Sequence, residues 1–339
     1  MRVALADPPA FTPPYDHALA TALAESGAQV ILLTSRFRFG ETPPPVGYTR
    51  DECFYPLSSR VFRRSRLRLP LRAAEHLAFF RRLDRVDADV LHVQWLAWPA
   101  VDVRLRFTRP SVFTAHDVIP RRTAKRLDLW RRLFAKFDRV IAHSEHGRRT
   151  LGNLDVDARV IAHPVFRADV PRADDGRTVL ALGVIRPYKG LPDAVEATRR
   201  AGVRLLVAGD PLGVEVPEIP HVERRLGYLP GAEVDRALSE ATVAVFPYRP
   251  ELDQSGALLR ALGAGVPAVA YDVGGIAEPI ARFGAGIVVP PGDVAALADA
   301  LLTVLEGPEP FRAGALRARA ELTWEASARA HIELYRELT

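Results

Sequence analysis

Two short segments, far apart in the chain, carry residues suited to holding a negatively charged ligand. In the stretch ATVAVFPYRPELDQSGALLRALGAGVPAVAYDVGGIAEPI (residues 241–280), Ser255-Gly256 opens a segment striped with Leu258, Leu259 and Leu262. The first N–H groups of a helix have no partner inside it, and the aligned peptide dipoles leave partial positive charge there. A helix that opens on Ser-Gly can therefore take a diphosphate against its backbone with no Cβ in the way. Plain helix capping would use the same two residues. The second segment, VIRPYKGLPDAVEA (184–197), places Arg186 and Lys189 in one loop ahead of Asp193. Two cations held close by a turn repel each other unless an anion lies between them, and a diphosphate is such an anion. Ordinary surface charge is the simpler alternative. His116, just past the apolar run of VFTAHDVIP, is a third candidate, set against a structural histidine bonded to backbone.

These residues need a scaffold, and the surrounding pattern supplies one. Residues 242–246 are too short for a helix and β-branched enough for a buried strand. Pro247, Pro250 and the acidic run Glu251-Leu252-Asp253-Gln254 break regular structure. A helix then runs from 255 to the glycines at 263 and 265, a strand follows at 266–270, and Gly274-Gly275 leads to a helix with Glu278 in its first turn. A parallel sheet puts such loops at its carboxyl edge, where α/β folds bind ligands. His116 occupies the same kind of position after a strand at 111–115.

The rest of the chain repeats this alternation. Strands are expected at 2–6, 29–33, 90–94 (running to Trp95 and Trp98), 139–143, 160–164, 179–183, 203–208 and 286–290. Helices are expected from Tyr15-Asp16-His17, with Asp16 as cap, and from Ser144-Glu145. Two more are expected over Val294, Leu297 and Leu301 and over the terminal LTWEASARAHIELYREL. The opening βαβ unit lacks GxGxxG, so no dinucleotide cofactor is expected. The polar stretch 166–178 reads as a linker between two domains.

Composition sets the outer bounds. The chain has 339 residues, enough for two domains, with 48% hydrophobic and 26% charged residues. One cysteine, Cys53, excludes an internal disulfide framework and zinc-type spacing, and fits a reducing compartment. Prolines interrupt MRVALADPPAF before an apolar signal core could form, and no apolar run approaches the ~20 residues of a membrane span. The formal charge is +5. Its one dense focus is 60–85, with Arg60, Arg63, Arg64, Arg66, Arg68 and Arg72 before a helical pattern carrying Leu77, Phe80 and Leu83. That mixture suits an anionic membrane surface or a phosphorylated acceptor; a solvated helix face is the alternative, and no nucleic-acid reading motif is present.

DQSGALLRALGAGVPAVAYDVGGIAE resembles the run through the nucleotide-sugar site of the family-4 glycosyltransferases, in a variant with a QSG turn. VFTAHDVIP and DRVIAHSEHGRRTL resemble two further segments of that family, and IRPYKG its phosphate loop, with Val184 where an arginine is usual. The family's Glu-x7-Glu pair is altered: its second glutamate falls on Arg260, and Asp253 lies nearest the first. A glycine pair common in the family is replaced within TPPYDHA.

The resemblance implies the GT-B fold, two Rossmann-like domains facing one another across a cleft. The N-terminal acceptor domain would span 1–165 and the nucleotide-sugar domain 179–322, with 323–339 a helix returning to the first. It implies transfer of a sugar, with retention of configuration, from a nucleoside-diphosphate sugar to the hydroxyl of a glycan, lipid-linked sugar or small molecule, without metal or cofactor. His116, Arg186 and Lys189 would be catalytic. Gly227, Tyr228, Leu229, Asp253, Gln254, Ser255, Gly256, Ala257 and Arg260 would bind donor, and Tyr15, Asp16, His17, Ser144 and Glu145 would lie on the acceptor side. A cytoplasmic protein, at the inner membrane face if 60–85 docks there, is implied. A GT-B epimerase or phosphorylase, or a non-catalytic nucleotide-sugar binder, would share the same phosphate site.

Overall fold

In a computed structural model of the chain, residues 1–37, 40–59, 68–120, 123, 125–249 and 254–339 are described, without the side chains of 68, 77, 79–82 and 84. They form two compact units, Met1–Ala162 with Trp324–Thr339, and His163–Thr323.

The first unit runs β1 (Arg2–Asp7), α1 (Pro13–Glu25), β2 (Gln29–Ser35), β3 (Thr49–Phe54), α2 (Arg68–Arg85), β4 (Val90–Val93), α3 (Pro99–Asp102), β5 (Ser111–Thr114), α4 (Leu127–Phe134), β6 (Arg139–Ala142), α5 (Glu145–Gly152) and β7 (Ala158–Val160). Its seven strands are parallel, in the order β3-β2-β1-β4-β5-β6-β7. The chain steps outward from β1 to β3 and then returns to lay β4 on the other side of β1. The order reverses there, and the loops after β1 and β4 part at the carboxyl edge. The inner strands are mostly apolar because helices cover both faces; Val3, Leu5, Leu91, Val112 and Ile141 are all buried. β3, TRDECF, is an edge strand and only partly buried. Polar edge strands guard against unwanted pairing and leave no apolar run, which is why 49–54 escapes a reading based on such runs.

Just beyond β3, Tyr55 Oη lies 2.7 Å from His76 Nδ1, and His76 Nε2 lies 2.7 Å from Asp102 Oδ1. The other Asp102 oxygen accepts from Trp98 N at 2.7 Å. This buried chain pins α2 and α3 to the sheet edge. Arg60, Arg63, Arg64 and Arg66 of the basic run lie outside the described residues, as do the side chains of Arg68, Leu77 and Phe80. Leu83 is buried, and Arg72 Cζ stands 3.9 Å from the centre of the Tyr55 ring. The seventh strand ends at Val160, earlier than the 160–164 expected. Beyond it the Ile161 carbonyl turns to accept from His143 Nδ1 at 2.9 Å.

The second unit runs β8 (Thr178–Leu182), a 3-10 turn (Pro187–Lys189), α6 (Leu191–Ala201), β9 (Arg204–Gly209), β10 (Val222–Leu226), α7 (Gly231–Glu240), β11 (Val243–Phe246), α8 (Gly256–Gly263), β12 (Ala268–Tyr271), α9 (Ala277–Phe283), β13 (Gly286–Val289), α10 (Val294–Glu306) and α11 (Glu309–Glu321). Its six parallel strands are ordered β10-β9-β8-β11-β12-β13, so the reversal falls between β8 and β11. The polar stretch ahead of β8 is bound along this unit. Ala168 N donates to Gly263 O (3.2 Å), Ala173 N to Ser239 O (3.0 Å), and Asp174 pairs with Arg172 and Arg312 at 2.9 and 2.8 Å.

The helix after this unit, α12 (Trp324–Arg336), belongs to the first. It buries Ala328, His331, Leu334 and Tyr335, and Tyr335 Oη comes 2.6 Å from His92 Nδ1 on β4. Among the described residues no helix is long and apolar enough to cross a membrane.

Candidate active site

The loops after β8 and β11 meet where the strand order of the second unit reverses. Ser255 caps α8, its Oγ accepting from Leu258 N at 3.2 Å. The N–H groups of Gly256 and Ala257 precede the first helical bond, from Leu259 N to Ser255 O (3.1 Å), and so belong to the unsatisfied end of the helix. Lys189 arrives from the other loop. A Cβ placed on Gly183 would lie 3.4 Å from Lys189 Nζ and 3.5 Å from Ala257 Cβ. The ammonium thus stands beside the first turn of α8, over a residue with no side chain to fill the space. Ser255, Gly256, Ala257 and Lys189 are brought together. Arg186 starts the 3-10 turn and is exposed on its rim.

The two loops are clamped. Gly190 is left-handed (φ 66°), and a Cβ there would collide with the Pro247 carbonyl, so only glycine lets the turn approach β11. Arg249 N donates to Tyr188 O at 2.8 Å, and its guanidinium reaches Asp193 at 3.4 Å. Asp193 also accepts from Tyr271 Oη at 3.0 Å. That carboxylate and burial both raise the pKa of the Tyr271 phenol, with burial the larger cause, so it stays a donor. Tyr248, which sequence reasoning missed, touches both loops. Lys189 Nζ lies 5.1 Å from its ring centre, and its hydroxyl is 3.2 Å from Ser255 Oγ.

Other residues of the expected donor set fall into three groups. Gln254 is half-buried ahead of the cap, and Asp253 lies outside the described residues. Gly227, Tyr228 and Leu229 follow β10, with Gly227 N donating to Gly209 O at 3.0 Å and Tyr228 64% exposed. Val184, Leu212 and Leu226, on the carboxyl ends of the neighbouring strands, are exposed with it and form an apolar rim that the sequence did not single out. Arg260, expected among the donor-binding residues, lies in the last turn of α8. Its Cζ lies 5.0 Å from the centre of the Phe166 ring, and Phe166 packs by its carbonyl against Gly263 at the other end of α8. A cation is favoured at that end by the helix dipole.

In the first unit His116 reaches the carboxyl edge but is engaged internally. Its Nε2 is 2.9 Å from Gln94 Oε1, and its Nδ1 is 3.3 Å from His143 Nε2. Trp95 stacks on the ring (5.1 Å, 11°) and Tyr15 meets it edge-on (4.6 Å, 88°). Proton transfer through this imidazole would first have to break one of these bonds. The ring is held in place by these partners at the carboxyl edge. Ser144 caps α5, accepting from Gly147 N at 2.8 Å, and Glu145 begins that helix beside Arg148 (2.7 Å).

Two expected acceptor contacts are corrected. Tyr15 and Asp16 are 2% and 1% exposed, and α1 begins at Pro13 with no side-chain cap. Asp16 points inward because α1 packs its first turn on the end of β1, where its carboxyl meets that of Asp7. Asp7 Oδ2 accepts from Phe11 N (2.7 Å) and Thr12 N (3.1 Å), while Oδ1 of each carboxyl has no partner among the described residues. His17 is half-buried, 3.0 Å from Tyr48 Oη. What these loops do expose is aromatic: Phe11 (60%) and Trp98 (47%), with Phe11 meeting Trp95 at 5.4 Å.

Burial, then the charge of Asp7, raises the Asp16 pKa well above the carboxylate range. The folded state therefore keeps a proton that the unfolded chain loses near pH 4, and stability falls as pH rises from there toward the raised value. Asp16→Asn, neutral and still able to donate to Asp7, is expected to raise the melting temperature at pH 8. Its advantage should shrink toward pH 4. Thermal melts across that range test this, and a constant difference would refute it.

Residues 15–166 match the model of Glycosyltransferase Family 4, and residues 176–307 match Glycosyl transferases group 1. The chain belongs to the family-4 glycosyltransferases. The glycogen synthase of Mycobacterium tuberculosis is 30% identical to the chain over 188 residues, 50% of the chain and 44% of the relative. The D-inositol 3-phosphate glycosyltransferase of Mycolicibacterium paratuberculosis is 27% identical over 297 residues, 73% of the chain and 66% of the relative. The chain thus spans under half the length of the first of these. Among solved structures, sucrose-phosphate synthase from Thermosynechococcus elongatus superposes with a TM-score of 0.71 at 19% identity, covering 100% of this chain and 99% of the other. Anabaena HepE in complex with UDP-glucose gives 0.66 at 16% identity, covering 100% of both. Both likenesses are of fold, the GT-B class of two parallel-sheet α/β domains.

Proposed function

We propose that the protein transfers a sugar from a nucleoside-diphosphate sugar to a hydroxyl of a ring-shaped polyol, with retention of configuration. The observation that carries this reading is the meeting of Lys189 Nζ with the first turn of α8 over Gly183. When the bond between sugar and diphosphate breaks, negative charge grows on the leaving phosphate. An ammonium, the N–H groups of Gly256 and Ala257 and the nearby Arg186 would stabilise that charge without rearranging. These groups supply the positive charge themselves, and the reaction is proposed not to require a metal. The apolar rim at Val184, Leu212, Leu226 and Tyr228 offers a face for the nucleobase. Retention follows if the acceptor hydroxyl attacks from the side that the diphosphate leaves, with a phosphate oxygen taking its proton.

The acceptor class is supported by the exposed aromatics of the first unit. Phe11 and Trp98 present flat apolar surface of the kind that the C–H face of a sugar or cyclitol covers. A relative named for D-inositol 3-phosphate and another, 2-deoxystreptamine glucosyltransferase, act on such rings by their names. The test is incubation with UDP-, GDP-, ADP- and dTDP-sugars and a panel of cyclitol and monosaccharide acceptors, with excess EDTA. Product configuration is read by NMR. Transfer with retention in EDTA is expected. An isomerised donor, or tight nucleotide binding with no turnover, would replace this reading.

A further inference from the structure

Tyr248 is 2% exposed and stands between the two halves of the anion site. It follows β11, while Lys189 follows β8, and the two strands are neighbours where the sheet order reverses. Its ring faces the Lys189 ammonium at 5.1 Å, within the range over which a cation is attracted to an aromatic face. Its hydroxyl lies 3.2 Å from Ser255 Oγ, the oxygen that caps α8. Lys189 and Tyr248 both border a cavity of about 20 Å³ lined also by Leu182, Ile185, Val245 and Pro247. A side chain with empty space beside it is not fixed by packing alone. Among the described residues no carboxylate is ion-paired with Lys189, and the Tyr248 ring is an aromatic face that its ammonium meets.

Resting on the diphosphate reading of this site, we infer that Tyr248 is a positioning residue for the leaving group. Its ring holds the Lys189 ammonium and its hydroxyl holds the cap of α8, so that cation and helix N-terminus face one anion. Without the ring, Lys189 keeps its charge but loses the fixed direction that makes the charge useful.

The experiment is calorimetric titration of inorganic pyrophosphate into the natural chain, Tyr248→Phe, Tyr248→Leu, Lys189→Ala and the double variant Tyr248→Leu/Lys189→Ala. The phenylalanine keeps the ring, and its affinity is expected within about threefold of natural. The leucine removes the ring and should cost about tenfold, as one cation–π contact does. In the Lys189→Ala background the ammonium is already gone, so the leucine should cost no more than about twofold. A general disturbance of the loop would instead cost the same tenfold in both backgrounds, and that result would overturn the inference. Should Tyr248→Leu fail to fold, phenylalanine and pentafluorophenylalanine at this position compare rings of similar size and opposite face charge. Loss in the fluorinated protein alone supports the inference, and equal affinity overturns it. Unchanged binding by Tyr248→Leu would overturn this inference while leaving the diphosphate site standing. No pyrophosphate binding by the natural chain would overturn both.

Discussion

Replacing Lys189 with alanine is expected to lower sugar transfer by about 10²- to 10³-fold, the usual cost of removing one preorganised stabiliser of a developing anion. The loss should appear in kcat more than in KM, because the charge on the leaving phosphate is larger in the transition state than in the bound donor. Arg186→Ala should cost less: Arg186 sits exposed on the rim, whereas Lys189 Nζ stands against the first turn of α8. Folding should change little, since among the described residues neither side chain forms an ion pair within the protein. Steady-state kinetics of both variants, with melting temperatures as control, make the comparison. Near-normal turnover in Lys189→Ala would overturn the proposed role of Lys189 in stabilising the leaving group.

A second large effect is expected in mild acid, and only in the first unit. Burial pushes the His143 and His331 imidazoles down to about 4, in each case against an opposing backbone bond, and holds His92 well below its ordinary value. The unfolded chain takes up those protons near pH 6.5. Stability is therefore present above pH 6.5 and is lost as pH falls toward 4, by up to ~3 kcal/mol for each of His143 and His331. The proton retained by the Asp7–Asp16 pair works the other way, but it is one proton against three. Set against a typical total of about 5–15 kcal/mol, the net loss is a large share of the unit's stability. All four tryptophans, Trp95, Trp98, Trp130 and Trp324, lie in this unit. Their fluorescence should shift between pH 6.5 and 4 while circular dichroism retains the signal of the other unit. A spectrum unchanged down to pH 4 would disprove it.

Much of this architecture was legible in the residues. The runs VAVF and AVAY are strands because a parallel sheet buried on both faces needs continuous apolar residues, and Ser255-Gly256 begins α8 as its composition implies. The limits are equally physical. β3 and β10 are edge strands whose polar residues answer to solvent. Tyr15, Asp16 and His17 look like a polar surface cluster in one dimension, yet the first turn of α1 aims Asp16 at Asp7 across a contact that no local spacing encodes. Arg260 has the right position in the chain to join the anion site, but its side chain goes to Phe166. Tyr248 acts between loops of two strands that meet only in the folded sheet, and nothing in FPYRP announces it.

The docking of α12 on α1 also has a consequence for biosynthesis. The first unit is written in two instalments, with the whole of the second unit between them. As the nascent chain emerges, Met1–Ala162 is complete long before the helix that must cover Leu19, Leu23 and His92 has been translated. At about 5–20 residues per second, that interval is on the order of ten to thirty seconds, during which an apolar flank stays uncovered. The first unit therefore cannot be completed before α12 has been made, although most of its residues come first. A chain released before α12 is made would carry the second unit joined to a first unit that lacks its covering helix, which chaperones and proteases would be the first to meet.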